Sequence, residues 1–144
     1  MEDFSDFASY LTDDEIAKVA PMIERIKALD SRKIKQESFM SFVKYVWPQF
    51  IEGGHHKIYA QKLQDVADGK CKRLIINMPP RHTKSEFASY LFPTWLMGRR
   101  PDLKIIQATH TAELAVGFGR KIKNLIESED FKDVFPDVSL ASDA

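Results

Sequence analysis

Apolar residues return every three or four positions along much of this chain, which predicts helices, and collect into two short continuous runs, which predict buried strands. Behind Thr12-Asp13-Asp14-Glu15, which reads as a capping box, Ile16, Val19, Ile23 and Ile26 recur at helical spacing, with Pro21 expected to kink or split the helix. A second helix is predicted over about residues 37–47, with Phe39, Phe42, Val43, Val46 and Trp47 on one face and Pro48 ending it. These two make a helical lead-in spanning residues 1–50. A third helix is predicted over about residues 56–68, closed by Gly69 as a C-terminal cap.

Leu74, Ile75 and Ile76 then form an apolar, partly β-branched run of the kind that suits a strand buried on both faces of a parallel sheet. Pro79 and Pro80 lack backbone donors and stop that strand near Met78. After a short loop, Lys84-Ser85 opens a run with Phe87, Ala88, Leu91, Phe92, Trp95 and Leu96 at helical spacing. Gly98-Arg99-Arg100-Pro101-Asp102 reads as a turn, and residues 103–109 as a second strand. Thr109 or Thr111 caps the next helix, whose apolar face carries Ala115, Phe118, Ile122, Leu125 and Ile126. Strand, helix, strand, helix is the crossover unit of a doubly wound α/β fold, and loops at the carboxyl ends of its strands share one edge. The expected fold is therefore α/β, an incomplete parallel sheet with flanking helices behind a helical segment, with the Lys84 loop and Thr109-His110-Thr111 on the same edge.

Composition narrows the function only a little. At 144 residues the chain is one ordinary domain, and 44% hydrophobic with 29% charged residues is globular composition. Twenty-one basic and 21 acidic side chains cancel, so any contact with nucleic acid has to be local. Cys71 is alone, which excludes an intrachain disulfide and a cysteine-built zinc site. The acidic opening is unlike a signal sequence, and no apolar run approaches the ~18 residues of a spanning helix; a cytosolic protein with no membrane partner is expected.

Candidate chemistry concentrates between residues 78 and 86. A loop that feeds a helix can hold phosphate oxygens on unsatisfied N–H groups, here those of residues 81–85. Lys84 supplies a point charge for β- and γ-phosphates, Ser85 a hydroxyl for phosphate-bound magnesium, and Arg81 a fork of donors. The ordinary G-x-x-x-x-G-K-[ST] pattern has glycines where Met78 and Thr83 stand. Because a β-branched residue tolerates positive φ poorly, Thr83 is expected to take an ordinary backbone conformation. On these residues alone, a phosphate loop and a merely basic turn are both open. His55 and His56 lack ligand partners at metal spacing and read as helix-start residues, while His82 reads as a residue that shapes the loop. Arg120, Lys121 and Lys123, with Arg99, Arg100 and Lys104 close in sequence, form either a phosphate-contacting patch for DNA or a solvated face. Thr109 and His110 are open between capping and a coupling or DNA-side role.

The run N-M-P-P-R-H-T-K-S-E closely resembles the ATP-binding loop of the large subunit of tailed-phage terminases, in which P-P-R-H-[GT]-K-[ST]-E replaces the glycine-rich form. Gly54-His55-His56, residues 69–73, Phe92-Pro93-Thr94-Trp95, Lys104-Ile105-Ile106-Gln107 and Phe118-Gly119-Arg120-Lys121 also fit that family, so the resemblance covers about residues 39–140. It implies a partial P-loop NTPase core of the ASCE, RecA-like kind over residues 51–144, binding ATP and Mg2+ through Pro80, Arg81, His82, Thr83, Lys84, Ser85 and Glu86. Lys84 and Arg81 would be catalytic, stabilising charge on the γ-phosphoryl, and Ser85 would hold magnesium. Gln61, 23 positions before Lys84, falls where such ATPases carry a glutamine that reads adenine, with Gln64 as competitor.

The implied function is packaging of duplex viral DNA into procapsids in the cytoplasm of an infected bacterial host. Implied partners are a small terminase subunit, a portal protein and neighbouring large subunits in a ring. The acidic strand that should place magnesium and water is missing: Glu129-Asp130 follows the polar end of a helix, and Asp137 follows Pro136. The sequence stops at Ala144, short of that strand and of a nuclease domain, so a truncated subunit with weak nucleotide binding and negligible hydrolysis is expected. The alternative is a non-catalytic α/β interaction module with a vestigial loop. A small P-loop kinase or sulfotransferase is disfavoured, since no lid-like arginine cluster follows the second strand.

Overall fold

The computed structural model describes residues 12–141, with the side chains of residues 13–15 outside the description, so the Glu15 half of the expected capping box is not described. Among the described residues every regular element is a helix: α1 (Asp13–Glu37), α2 (Phe39–Val46), α3 (Gly54–Ala67), α4 (Lys84–Glu86), a π turn (Phe87–Leu91), α5 (Phe92–Arg99), α6 (Ala112–Glu127) and α7 (Glu129–Val134). Two compact units meet in sequence between Lys33 and Ile34. The first carries most of α1, which runs through Pro21 as one helix rather than splitting there. The second holds everything that follows.

The expected parallel sheet is overturned, because the described residues contain no strand. The segments 73–79 and 103–109 carry no regular secondary structure. Their burial shows why. Leu74, Ile76 and Met78 lean on the core, but Ile75 is 88% exposed and Ile106 is 96% exposed. A strand covered on both faces would hide both sets, whereas the helices here cover one side only. The doubly wound P-loop core is thus not the architecture of this chain.

What replaces the sheet is an aromatic helical core. Phe39 from α2 sits at its centre, edge-on to Phe87 and to Phe92 with ring centroids 5.5 Å apart in both pairs, and 5.4 Å from Trp95. Edge-to-face pairs add roughly 0.5–1.5 kcal/mol each beyond the area they bury. The start of α2 is pinned twice: the Ser38 hydroxyl accepts from the Ser41 N–H, and the Gln64 Oε1 on α3 accepts from the Phe39 N–H at 3.0 Å. The Trp95 indole donates to the Lys35 carbonyl at 3.1 Å, fixing α5 to the end of α1 that lies in the second unit. Ser128 both ends α6 and caps α7, donating to the Leu125 carbonyl at 2.7 Å and accepting from the Phe131 N–H at 3.3 Å. Glu129 and Asp130 accordingly lie in the first turn of a helix, where carboxylates suit the dipole. That short helix delivers Phe131, Val134 and the following Phe135 into the core. Gly98 lets α5 meet it, since a Cβ there would lie 2.5 Å from the Phe135 ring.

Candidate functional site

Between the irregular segment that ends at Pro79 and the start of α4 at Lys84 the chain turns within four residues. It does so through two left-handed residues, Arg81 at φ 65° and Thr83 at φ 58°. The expectation of an ordinary backbone at Thr83 is therefore wrong, and the reason is geometric. The residue ahead of Lys84 has to take the conformation that a glycine takes freely, and the helix behind it is held firmly enough to impose it. The Thr83 hydroxyl donates to the His82 carbonyl at 2.6 Å rather than capping the helix. Among the described residues, the N–H groups of residues 83–86 have no backbone acceptor. Alternation of left- and right-handed residues turns such groups inward as an anion-binding nest. Arg81, His82, Lys84 and Ser85 are all exposed around it.

Behind the loop, α3 provides the support. Tyr59 is buried, its ring stacked on Phe87 with centroids 5.4 Å apart, and its hydroxyl donates to the Lys84 carbonyl at 2.9 Å. Burial pushes the Tyr59 phenol up to about 12, against a smaller opposing pull from the Ala88 backbone N–H, so it remains a neutral donor. At the start of α3, His56 accepts from the Gly53 N–H through Nδ1 at 2.9 Å, which is the helix-start role expected of it. The His55 and His56 rings lie 3.8 Å apart, with His82 of the loop 5.7 Å from His55. Burial lowers the His56 pKa, and His55 beside it lowers it further.

The other expected residues are placed less compactly. Gln61 is two residues, or about 200°, round α3 from Tyr59, so it does not face the loop. It lines a groove of about 460 Å³ with Lys57, Ala60 and Gln64, and its amide donates to Asp65 at 3.1 Å. Gln64 is occupied by the Phe39 N–H and by Asp68. Glu86 pairs with Lys121 of α6 at 2.9 Å, and Lys121 also lies over the Tyr90 ring. That bond draws one member of the basic trio toward the loop, leaving Arg120 and Lys123 on the exposed side of α6. Arg99 is spent on Asp68 and on the Trp95 ring.

Thr111, rather than Thr109, caps α6, accepting from the Leu114 N–H at 3.3 Å, while the Thr109 hydroxyl donates to the Thr111 carbonyl at 2.6 Å. Glu86 and Thr111 line one groove of about 550 Å³, but with no sheet among the described residues the shared strand edge expected for the two loops is absent.

Sequence reasoning missed Tyr59, and no spacing rule could have found it, because its contact with Lys84 is made across 25 residues. The arrangement suits an anion: N–H groups without backbone acceptors, and an exposed lysine, serine and arginine. Glu86, the carboxylate that follows Ser85, is paired with Lys121. Among the described residues no group of three or more His, Cys, Asp or Glu side chains is placed to hold a metal ion, and no helix is long and apolar enough to cross a membrane. Comparison with protein-family models, curated proteins and solved structures returned no match for this chain.

Proposed function

We propose that residues 80–86 bind the phosphates of ATP, and that the chain is the nucleotide-binding part of a DNA-packaging motor of the tailed-phage terminase class. One observation carries this reading. A left-handed Thr83 stands directly ahead of Lys84-Ser85 and leaves a run of backbone N–H groups without backbone acceptors at the start of a continuous helical segment, 84–99. The resemblance of Pro80-Arg81-His82-Thr83-Lys84-Ser85-Glu86 to the terminase loop gives that anion its identity.

Lys84 and Arg81 would neutralise phosphate charge, the first as a mobile point charge and the second as a planar fork. Ser85 fits a magnesium-bound phosphate: its hydroxyl is exposed one residue past Lys84 and has no hydrogen-bond partner among the described residues. Magnesium, when bound, would screen the β- and γ-oxygens from one another. The pairing of Glu86 with Lys121 supports binding with negligible hydrolysis by this chain alone. Duplex viral DNA, a small terminase subunit, a portal ring and further copies of the large subunit, in the host cytoplasm, belong to the same proposal.

The test is calorimetric titration of magnesium-ATP into wild type, Lys84→Ala and Ser85→Ala. Loss of a charged hydrogen-bonding group should weaken binding about tenfold for Lys84→Ala. Equal affinities for wild type and Lys84→Ala would remove the phosphate reading. A second reading, a non-catalytic interaction module, is favoured by one observation, the exposure of Ile75 and Ile106.

A further inference from the structure

We propose that Lys121 is a positioning residue for the phosphate loop: it draws the Glu86 carboxylate toward α6 and so keeps it from folding back onto the loop N–H groups that a phosphate would take. Thr83 is the residue ahead of α4, which makes Lys84, Ser85 and Glu86 the first three positions of the helix. From the third position a glutamate reaches back to the backbone N–H ahead of the helix, as in one half of a capping box, and the helix dipole favours a carboxylate there. Glu86 is thus an anion tethered beside the groups assigned to phosphate, and left to itself it competes for them at the high effective concentration of a short tether. Here its Oε1 accepts from the Lys121 Nζ at 2.9 Å, a contact across 35 positions of sequence, while the N–H groups of residues 83–86 have no backbone acceptor.

The ammonium is held in place from both sides. Its Nζ lies 5.5 Å from the centroid of the Tyr90 ring, in the π turn behind the loop, and 6.0 Å from that of Phe118 on its own helix. Leu125 and Ile126, buried further along α6, anchor that helix in the core. The Lys121 and Glu86 side chains are 52% and 38% exposed, so the pair itself adds little to stability. What it changes is where a negative charge stands. Lys121 acts through Glu86 rather than on the ligand. The consequence for ligand binding rests on the phosphate reading above; the placement of Glu86 does not.

The experiment uses the full chain and the variants Lys121→Met, Lys121→Arg, Glu86→Ala and the double variant Lys121→Met with Glu86→Ala. Lys121→Met keeps an apolar stem beside Tyr90 and removes only the charge, so it should fold, which a retained cooperative melt checks. Two readouts are taken: calorimetric affinity for magnesium-ATP, and amide hydrogen exchange at residues 83–85 without ligand. Lys121→Met should weaken Kd about threefold to sixfold, the range set by one carboxylate at a helix start, and Lys121→Arg should keep the wild-type value. In the Glu86→Ala background, which retains every N–H group, Lys121→Met should change Kd by less than about 1.5-fold, because no carboxylate is left to hold. A lysine that met the ligand directly, or merely propped the fold, would weaken both backgrounds alike. Exchange at residues 83–85 should slow in Lys121→Met, as Glu86 folds back on them, and recover in the double variant. Unchanged exchange in Lys121→Met overturns the proposal, and so does an undiminished loss of affinity in the double variant. If wild type itself fails to bind magnesium-ATP, the phosphate reading falls, while slower or unchanged exchange still decides the placement of Glu86 for or against.

Discussion

Replacing Thr83 by glycine and, separately, by alanine turns the strain in the loop into a sign. At an ordinary backbone position glycine is less stable than alanine by roughly 0.5–1 kcal/mol, because the unfolded chain gains freedom. At φ 58° and ψ 8° the order should reverse. A Cβ in the left-handed region costs roughly 1–2 kcal/mol, which alanine retains and glycine sheds. Setting that gain against the entropic loss leaves glycine ahead of alanine by roughly 0.5–1 kcal/mol. Alanine is the right reference, since both variants lack the hydroxyl that donates to the His82 carbonyl. For a chain of 144 residues such a difference is about 3 °C in midpoint. Thermal melts followed by the fluorescence of buried Trp95 would resolve it. If Thr83→Ala melts at or above Thr83→Gly, the left-handed turn is not the ground state of the loop, and the reasoning about its N–H groups goes with it.

Two further outcomes are expected. Gly98→Ala should destabilise the chain by roughly 1–3 kcal/mol although alanine is the better helix former, because its Cβ would meet the Phe135 ring at 2.5 Å; urea denaturation should show the loss, and adding Phe135→Leu should recover much of it. Between pH 8 and 5 the melting temperature should fall as the pH drops below about 6.5, the ordinary histidine value. His56 is held neutral in the folded chain by burial and by His55, so its contribution is complete above that value and is lost as the pH falls through its lowered folded pKa. His56→Gln should flatten that part of the profile, and an identical slope in the variant would rule His56 out as its source.

The helices were largely legible in the sequence, because apolar periodicity reports one buried face whatever lies against it. Phe39, Phe42 and Val43 on α2, and Leu125 and Ile126 on α6, are buried as their spacing requires. The strands were not legible, because Leu74-Ile75-Ile76 is equally apolar whether or not a second layer arrives to cover Ile75. α7 escaped notice for its shortness and acidic start, although Phe131, Val134 and Phe135 follow helical spacing. At the site, Lys84 and Ser85 stand at the helix start as the motif required, but the conformation of Thr83 did not follow from its own preferences. The tight turn into the helix, with Thr83 at its N-terminal boundary, outweighed them.

The π turn also makes the length of the chain between loop and core a structural quantity. Across Phe87–Leu91 the path spends one residue more than an α-helix would. Each helical residue advances about 1.5 Å and turns about 100°, so the two ends of 84–99 are out of phase by that rotation. Deleting a single residue from the turn would leave composition and hydropathy almost untouched. It would nevertheless swing either Lys84 and Ser85 off the loop's concave side or Trp95 out of the core. Grafting this loop onto another helix succeeds only if the extra residue travels with it.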